Sequence, residues 1–361
     1  MISRKSILAV ACCGAIALGV AACGSSSSTS SGGGGGDVSG DIAGAGATSQ
    51  EAAQEAWKAN FESQNSGVTI AYDPVGSGGG REQFEAGGVD FAGTDSSFAD
   101  EELTKAEKQC GSADEFVQVP AYISPIAIVY NLQGVDNLQL SPDTIAGIFS
   151  QDITSWDDPA IQKDNPGVDL PSTRITPVNR SDDSGTTDNF TQYLSAAAPS
   201  VWKYPPDDTW PVKGGEAANG TSGVVEAVGA GDGAVGYADE SQAGDLGIAK
   251  IKVGDKYIAP SAEGAAHDVE ISKPNTDVKG GKYVFAYSLE RTSTDTADYP
   301  IVLVSYLATC TKGDNAAAVG AYIKYIVSPE GQEAAAKHAG SAPLSSKVQS
   351  DIQPAVDAIG Q

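Results

Sequence analysis

Basic residues and histidines are scarce: 22 Lys and Arg stand against 47 Asp and Glu, with two His in 361 residues. Arg4 and Lys5 are the only charged residues before Asp37, so the rest of the chain carries 20 basic and 47 acidic side chains, a net charge of −27. Such a surface repels nucleic acid and anionic lipid, and any anion it binds must be held by local dipoles against the long-range field. There is no HExxH run, no nucleophile elbow and no Walker A loop, so metal-assisted or nucleotide hydrolysis lacks its usual parts. His267-Asp268 reads as half a triad or as a plain surface pair. No metal or cofactor is called for. Internal repeats and heptads are missing, and no second apolar run is long enough to span a membrane.

What is present begins with an address. After Arg4 and Lys5 comes an apolar stretch, Ile7 to Val20, too short to span a bilayer comfortably. It ends in Val20-Ala21-Ala22-Cys23, which resembles a bacterial lipobox, with cleavage before a diacylglyceryl-modified Cys23. The alternative is a plain signal peptide that contains a cysteine. Residues 1–22 therefore read as a lipoprotein signal peptide and 23–36 as a lipid-anchored tether. Gly24 to Gly36 holds only Ser, Thr and Gly, a flexible coil reaching about 20 Å from the membrane. The expected location is the extracytoplasmic face of the cell membrane. Of five cysteines, Cys12 and Cys13 leave with the signal and Cys23 takes the lipid. Cys110 and Cys310 remain, an even pair in an oxidising compartment. They are predicted to form a disulfide, the alternative being two buried free thiols.

From Asp37 onward the chain is too long for one ordinary core and suits two domains. Strand-like and helix-like segments alternate, as in an α/β protein. A helix carrying Ala53, Trp57 and Phe61 stops at Asn65-Ser66-Gly67, and Val68 to Tyr72 is a strand. A second helix is expected from near Arg81, then a strand at Val89 to Ala92. Val119 to Tyr130 and Pro300 to Leu307 read as buried strands. Between them come a strand at Ile175 to Val178, a helix through Phe190 and Leu194, a strand at Ala234 to Tyr237, and a hairpin around Gly254-Asp255. A chain that leaves its first domain and returns needs two crossovers, for which Val119–Tyr130 and Tyr299–Leu307 are the candidates. The expected fold is two-lobed, with residues 37–122 and 300–361 in one lobe and 123–299 in the other. A hinge and an interlobe ligand cleft follow from that arrangement.

Three junctions share one design, a small-residue loop, a hydroxyl and a helix start: Thr48-Ser49, Ser77, and Ser184-Gly185-Thr186. First-turn amides point outward and carry the positive end of the helix dipole, which suits a tetrahedral oxyanion. Any one junction is explained by capping alone. Three together, with Arg180 just before the third, point to an anion site. Asp95 ends the segment Phe91-Ala92-Gly93-Thr94-Asp95, at the strand end where ligands bind in such sheets, unless it merely caps a helix. Phosphate keeps a proton at neutral pH and sulfate does not. An ionised Asp95 would accept that proton in a hydrogen bond and repel sulfate. Asp182 is placed to hold the Arg180 guanidinium, or else is a solvated surface acid.

These segments resemble the phosphate-binding proteins of the Pst ABC transport system. Gly44-Ala45-Gly46-Ala47-Thr48, Gly76-Ser77-Gly78-Gly79-Gly80, Val89-Asp90-Phe91-Ala92-Gly93-Thr94-Asp95 and Arg180-Ser181-Asp182-Asp183-Ser184-Gly185-Thr186 match that family's motifs in order and rough spacing. The resemblance implies a periplasmic-binding-protein-like fold that holds inorganic phosphate and serves an ABC permease and ATPase, with the protein itself a monomer and not an enzyme. Carried over, Thr48, Ser49, Ser77, Asp95, Arg180, Ser184, Gly185 and Thr186 contact phosphate, and Asp182 supports Arg180. Ser49 stands where many members have Phe, a position that binds through its backbone N–H. Gly78 replaces a serine, and Asp183 often corresponds to glycine, bringing an extra negative charge near the site. Cys110 and Cys310 lie outside the general pattern. A surface lipoprotein of the same fold used for adhesion or sensing, and a phosphate-processing enzyme, are the rival readings.

Overall fold

The computed structural model describes residues 38–361, so the signal peptide expected at 1–22, the tether at 23–36 and the lipid site at Cys23 lie outside the described residues. Nine strands make its main sheet: β1 (Ser39–Gly46), β2 (Gly67–Asp73), β3 (Phe91–Thr94), β4 (Phe116–Asn131), β5 (Thr176–Arg180), β6 (Glu216–Ala218), β7 (Ala234–Asp239), β8 (Gly247–Ile248) and β9 (Val302–Cys310). Their order is β2-β1-β3-β9-β4-β7-β5-β6, with β8 also paired to β4. Two triplets, β1–β3 and β5–β7, are each internally parallel. Between them β9 and β4 run antiparallel to every neighbour.

The two runs expected to link the lobes, Val119–Tyr130 and Tyr299–Leu307, fall largely within this middle pair, β4 and β9. Strand β4 is sixteen residues long and buried along its length up to Tyr130, so its sequence is continuously apolar rather than alternating. It changes partner midway. Up to Pro125 it pairs with β9, and from Ile126 onward with β7. Residues from Asp37 to Gln361 still form one compact unit, with a core that runs through both triplets.

Strand β1 is absent from the sequence expectations because Ser-Gly-Asp-Ile-Ala-Gly-Ala-Gly has little branched or aromatic content. Packing overrides propensity here. A Cβ on Gly44 would stand 2.1 Å from the Phe91 ring, so only glycine lets β1 lie between β2 and β3. Helix α1 (Glu51–Gln64) buries Ala53, Trp57 and Phe61 as its four-residue spacing predicts, and Phe61 meets the Tyr322 ring at 5.3 Å. Helix α2 (Ser77–Glu85) begins four residues before the expected Arg81. Glycines disfavour helix by about 1 kcal/mol each, but here tertiary packing on β1 and β3 decides. The strand expected at Val89–Ala92 lies two residues further on, as β3. The hairpin around Gly254-Asp255 forms as foreseen, with Val253 opposite Lys256. Cys110, at the end of α3 (Asp100–Gln109), is joined to Cys310 at the end of β9 by a disulfide closing 200 residues of chain.

Candidate functional site

A strand that hands over to a helix ends in loop residues whose side chains gather at the sheet's C-terminal edge. Five strands do so here. Strand β1 leads to Thr48 and Ser49, β2 to Ser77, β3 to Asp95, β5 to Arg180–Thr186 and helix α4 (Gly185–Ala197), and β6 to helix α5 (Gly220–Ala230). Of the residues predicted for the site, Thr48, Ser49, Ser77, Asp95, Arg180, Ser184, Gly185 and Thr186 are buried and Asp182 is half-buried.

The two triplets meet there directly. Thr48 Oγ1 is 2.8 Å from Thr221 Oγ1 on α5 and accepts from the Thr221 amide at 3.2 Å. Gly185, the first residue of α4, lies against Ser77 and Asp95. A Cβ on it would be 2.7 Å from both the Ser77 Oγ and the Asp95 Cβ. First-turn amides have no partner inside their own helix. The amides of Gly78 and Thr187 are taken by Asp183 O and Ser184 Oγ, which leaves those of Ser77, Gly79, Gly185 and Thr186 without an acceptor among the described residues. Ser184 thus has the capping role that its position implies.

Asp95 is the hub. Its Oδ1 accepts from Ser49 Oγ at 2.7 Å and Ser305 Oγ at 2.5 Å, its Oδ2 from Thr186 Oγ1 at 3.1 Å. The Asp95 amide donates to Ser77 Oγ, and its carbonyl accepts from Asn189 Nδ2. Burial pushes its carboxyl above the usual range, while the three hydroxyls and the charge of Arg180 pull the other way. Arg180 is gripped by Asp182 through Nε at 2.8 Å and through Nη2. The Gly220 amide adds a bond to Asp182 Oδ1 at 3.0 Å. Burial alone would raise Asp182, but the guanidinium outweighs it and holds that carboxyl below the ordinary range. The cluster therefore offers a fixed cation, outward amides, hydroxyls and one acceptor.

Residues 29–330 match the model of a PBP superfamily domain. Phosphate-binding protein PstS2 of Mycobacterium bovis is 34% identical over 328 residues, 88% of this chain and 87% of the relative. Phosphate-binding protein PstS 3 of Mycobacterium leprae is 34% identical over 74% of this chain and 73% of its own. The chain belongs to the PstS family of phosphate-binding proteins. Its fold is that of the periplasmic phosphate-binding protein PfluDING, solved with phosphate bound, at TM-score 0.70 and 22% identity over 87% of this chain and 93% of that one.

Within this PstS chain, Ser49 contributes more than the amide expected of it, since its hydroxyl bonds Asp95 directly. Sequence reasoning missed Thr221, Ser305 and Arg81. Thr221 lies in the first turn of the helix that Gly220 opens, the same pattern as at Thr48-Ser49, Ser77 and Ser184-Gly185-Thr186. Ser305 had a signal too, as the one small hydroxyl residue in the largely apolar run Ile301–Leu307. Arg81 had none, because only the fold shows that its guanidinium is buried beside Thr94. His267 bonds Asp298 rather than Asp268, and the nearby Ser293 hydroxyl donates to Asp298 instead of to the imidazole. A cavity of about 410 Å³ opens beside the cluster, lined by Asp95 and its partner Asn189.

Proposed function

We propose that this PstS chain is an exported, monomeric substrate-binding lipoprotein, anchored through Cys23 on the extracytoplasmic face of the cell membrane. It captures inorganic phosphate and delivers it to an ABC permease and its ATPase. The lobes are residues 37–122 with 300–361 and residues 123–299, hinged where β4 changes partner beside the start of β9. Thr48, Ser49, Ser77, Asp95, Arg180, Ser184, Gly185 and Thr186 replace the water around the anion as the lobes close, with Asp182 steadying Arg180. The work is capture rather than catalysis.

The observation that carries this reading is Asp95, a buried acceptor set among donors. Monohydrogen phosphate has a proton to give to such an acceptor and sulfate has none. The names of the relatives support the same ligand.

Isothermal titration with phosphate, sulfate and arsenate tests it, alongside Asp95→Asn and Arg180→Ala. Tight phosphate binding without sulfate binding is expected. Arg180→Ala should weaken phosphate by roughly 10–100-fold, the worth of a charge-assisted hydrogen bond. A folded, ligand-stripped wild type that ignores phosphate would leave adhesion or sensing as the better account. For the anchor, Cys23→Ser should move the protein from the membrane fraction to the supernatant. Unchanged sedimentation with membranes would refute lipidation at Cys23.

A further inference from the structure

Strand β9 slips register against β4 between Ser305 and Tyr306, where Ala121 drops out of the pairing. The extra residue of this bulge lies on β4, and beside it on β9 Ser305 Oγ reaches Asp95 Oδ1. The hydroxyl is also held from behind. Gln50 Nε2 donates to Ser305 Oγ at 2.6 Å and to the Tyr306 carbonyl at 3.2 Å. A carbonyl only accepts, so the nitrogen of the Gln50 amide must lie on that side. Its Oε1 then accepts from Gln54 Nε2 at 3.0 Å, and Gln54 Oε1 accepts from Tyr322 OH at 2.9 Å. One backbone carbonyl thereby orients a buried chain of side chains, Tyr322 to Gln54 to Gln50 to Ser305 to Asp95. The lone pair of Ser305 that faces Gln50 is occupied, so its single proton goes to Asp95.

We propose that Gln50 and Ser305 are specificity-determining positioning residues that lock Asp95 as an acceptor towards the bound oxyanion. The proposal rests on the phosphate-capture reading. With Ser49 as the second donor, Oδ1 receives two hydroxyl protons, so a proton taken up by Asp95 would have to sit on Oδ2, where Thr186 also donates. Ser305 opposes the upward push of burial on Asp95 most strongly among the three hydroxyls. The other charged or titratable groups around Asp95 are Arg180 with Asp182 on it, Asp239 at the end of β7, Tyr72 on β2, and Asp188 on α4, which Ser96 contacts. None of these groups hydrogen-bonds to Ser305 Oγ, whose partners are Gln50 and Asp95. A protonated Asp95 would become a donor and would no longer reject an anion that has no proton.

The test is calorimetric titration of the full-length protein in detergent with inorganic phosphate and with sulfate, from pH 5 to 9. Wild type, Ser305→Ala, Ser305→Thr and Gln50→Met are compared. Ser305→Ala is expected to lower the phosphate-to-sulfate affinity ratio about tenfold, and to raise by about one unit the pH below which sulfate binds. Gln50→Met should act in the same direction but less, and Ser305→Thr, which keeps the hydroxyl, should restore the ratio. Equal losses for both anions in Ser305→Ala and Gln50→Met, with unmoved pH profiles, would overturn the proposal while leaving phosphate capture intact. A wild type that does not bind phosphate would overturn capture itself and the proposal with it, a result visible before any variant is compared.

Discussion

Gly78 and Asp183 face each other so closely that a Cβ on the glycine would stand 2.5 Å from the aspartate Cβ. The Gly78 amide donates to the Asp183 carbonyl at 3.0 Å, and Asp183 Oδ1 accepts from Thr209 Oγ1 at 3.0 Å. The two positions at which the sequence departs from the motifs it resembles are therefore in direct contact, and a side chain on residue 78 would collide with that of Asp183. Gly78→Ser alone should weaken phosphate binding by tenfold or more, and adding Asp183→Gly should recover most of the loss. Residues in contact couple by about 0.5–3 kcal/mol, so a titration double-mutant cycle should give more than 1 kcal/mol. Simple additivity of the two changes would show that they are independent.

That coupling marks the limit of what could be read from the chain. Motifs local in sequence were legible: the junctions at Thr48, Ser77 and Ser184, the strand-ending Asp95, and the apolar runs of β4 and β9. Each owes its structure to near neighbours or to continuous burial. Contacts across the two triplets were not legible, because nothing in the order of residues says that Arg81 meets Asp208 or that Gly78 meets Asp183. Strand β1 was hidden for a related reason. Its glycines answer to the Phe91 ring from another strand, and local propensity argues against them.

Arg81 on α2 reaches across in the same way. Its Nη2 donates to Asp208 Oδ2 at 2.7 Å, from the segment between α4 and β6, while Nε is held by Glu102 at 2.9 Å. Asp208 also accepts from the Ser184 amide through its carbonyl, so this bridge ties α2 to the start of α4. Asp208→Ala leaves Arg81 paired with Glu102 and the backbone bond to Ser184 in place, and removes only the side-chain cross-link. A partly buried charged hydrogen bond of this kind contributes about 1 kcal/mol. The variant should therefore release phosphate roughly fivefold faster in stopped-flow, with little change in thermal stability. An unchanged off-rate would mean that the bridge does not help hold the halves together.

Asp268, in the helix Ala262–Ile271, is fully buried, and neither carboxyl oxygen has a hydrogen-bond partner among the described residues. Burial raises its pKa to about 8, Arg291 opposes the rise, and Asp298 and Glu290 add to it. In the folded protein the group is thus neutral at pH 7, whereas in the unfolded chain it titrates near the ordinary value of 3.8. Between these limits the native state holds the extra proton, so raising the pH destabilises the fold, by up to roughly 1.4 kcal/mol per pH unit from this one group. Its contribution is complete below about pH 4 and is lost as the pH climbs through 8. Asn has the same shape and no charge to bury, so Asp268→Asn should flatten this slope. Urea unfolding at pH 5 and pH 8 provides the check. The variant's stability relative to wild type should rise by several kcal/mol between the two conditions. A constant difference would mean that Asp268 is ionised in the native protein, with Arg291 compensating its charge in full.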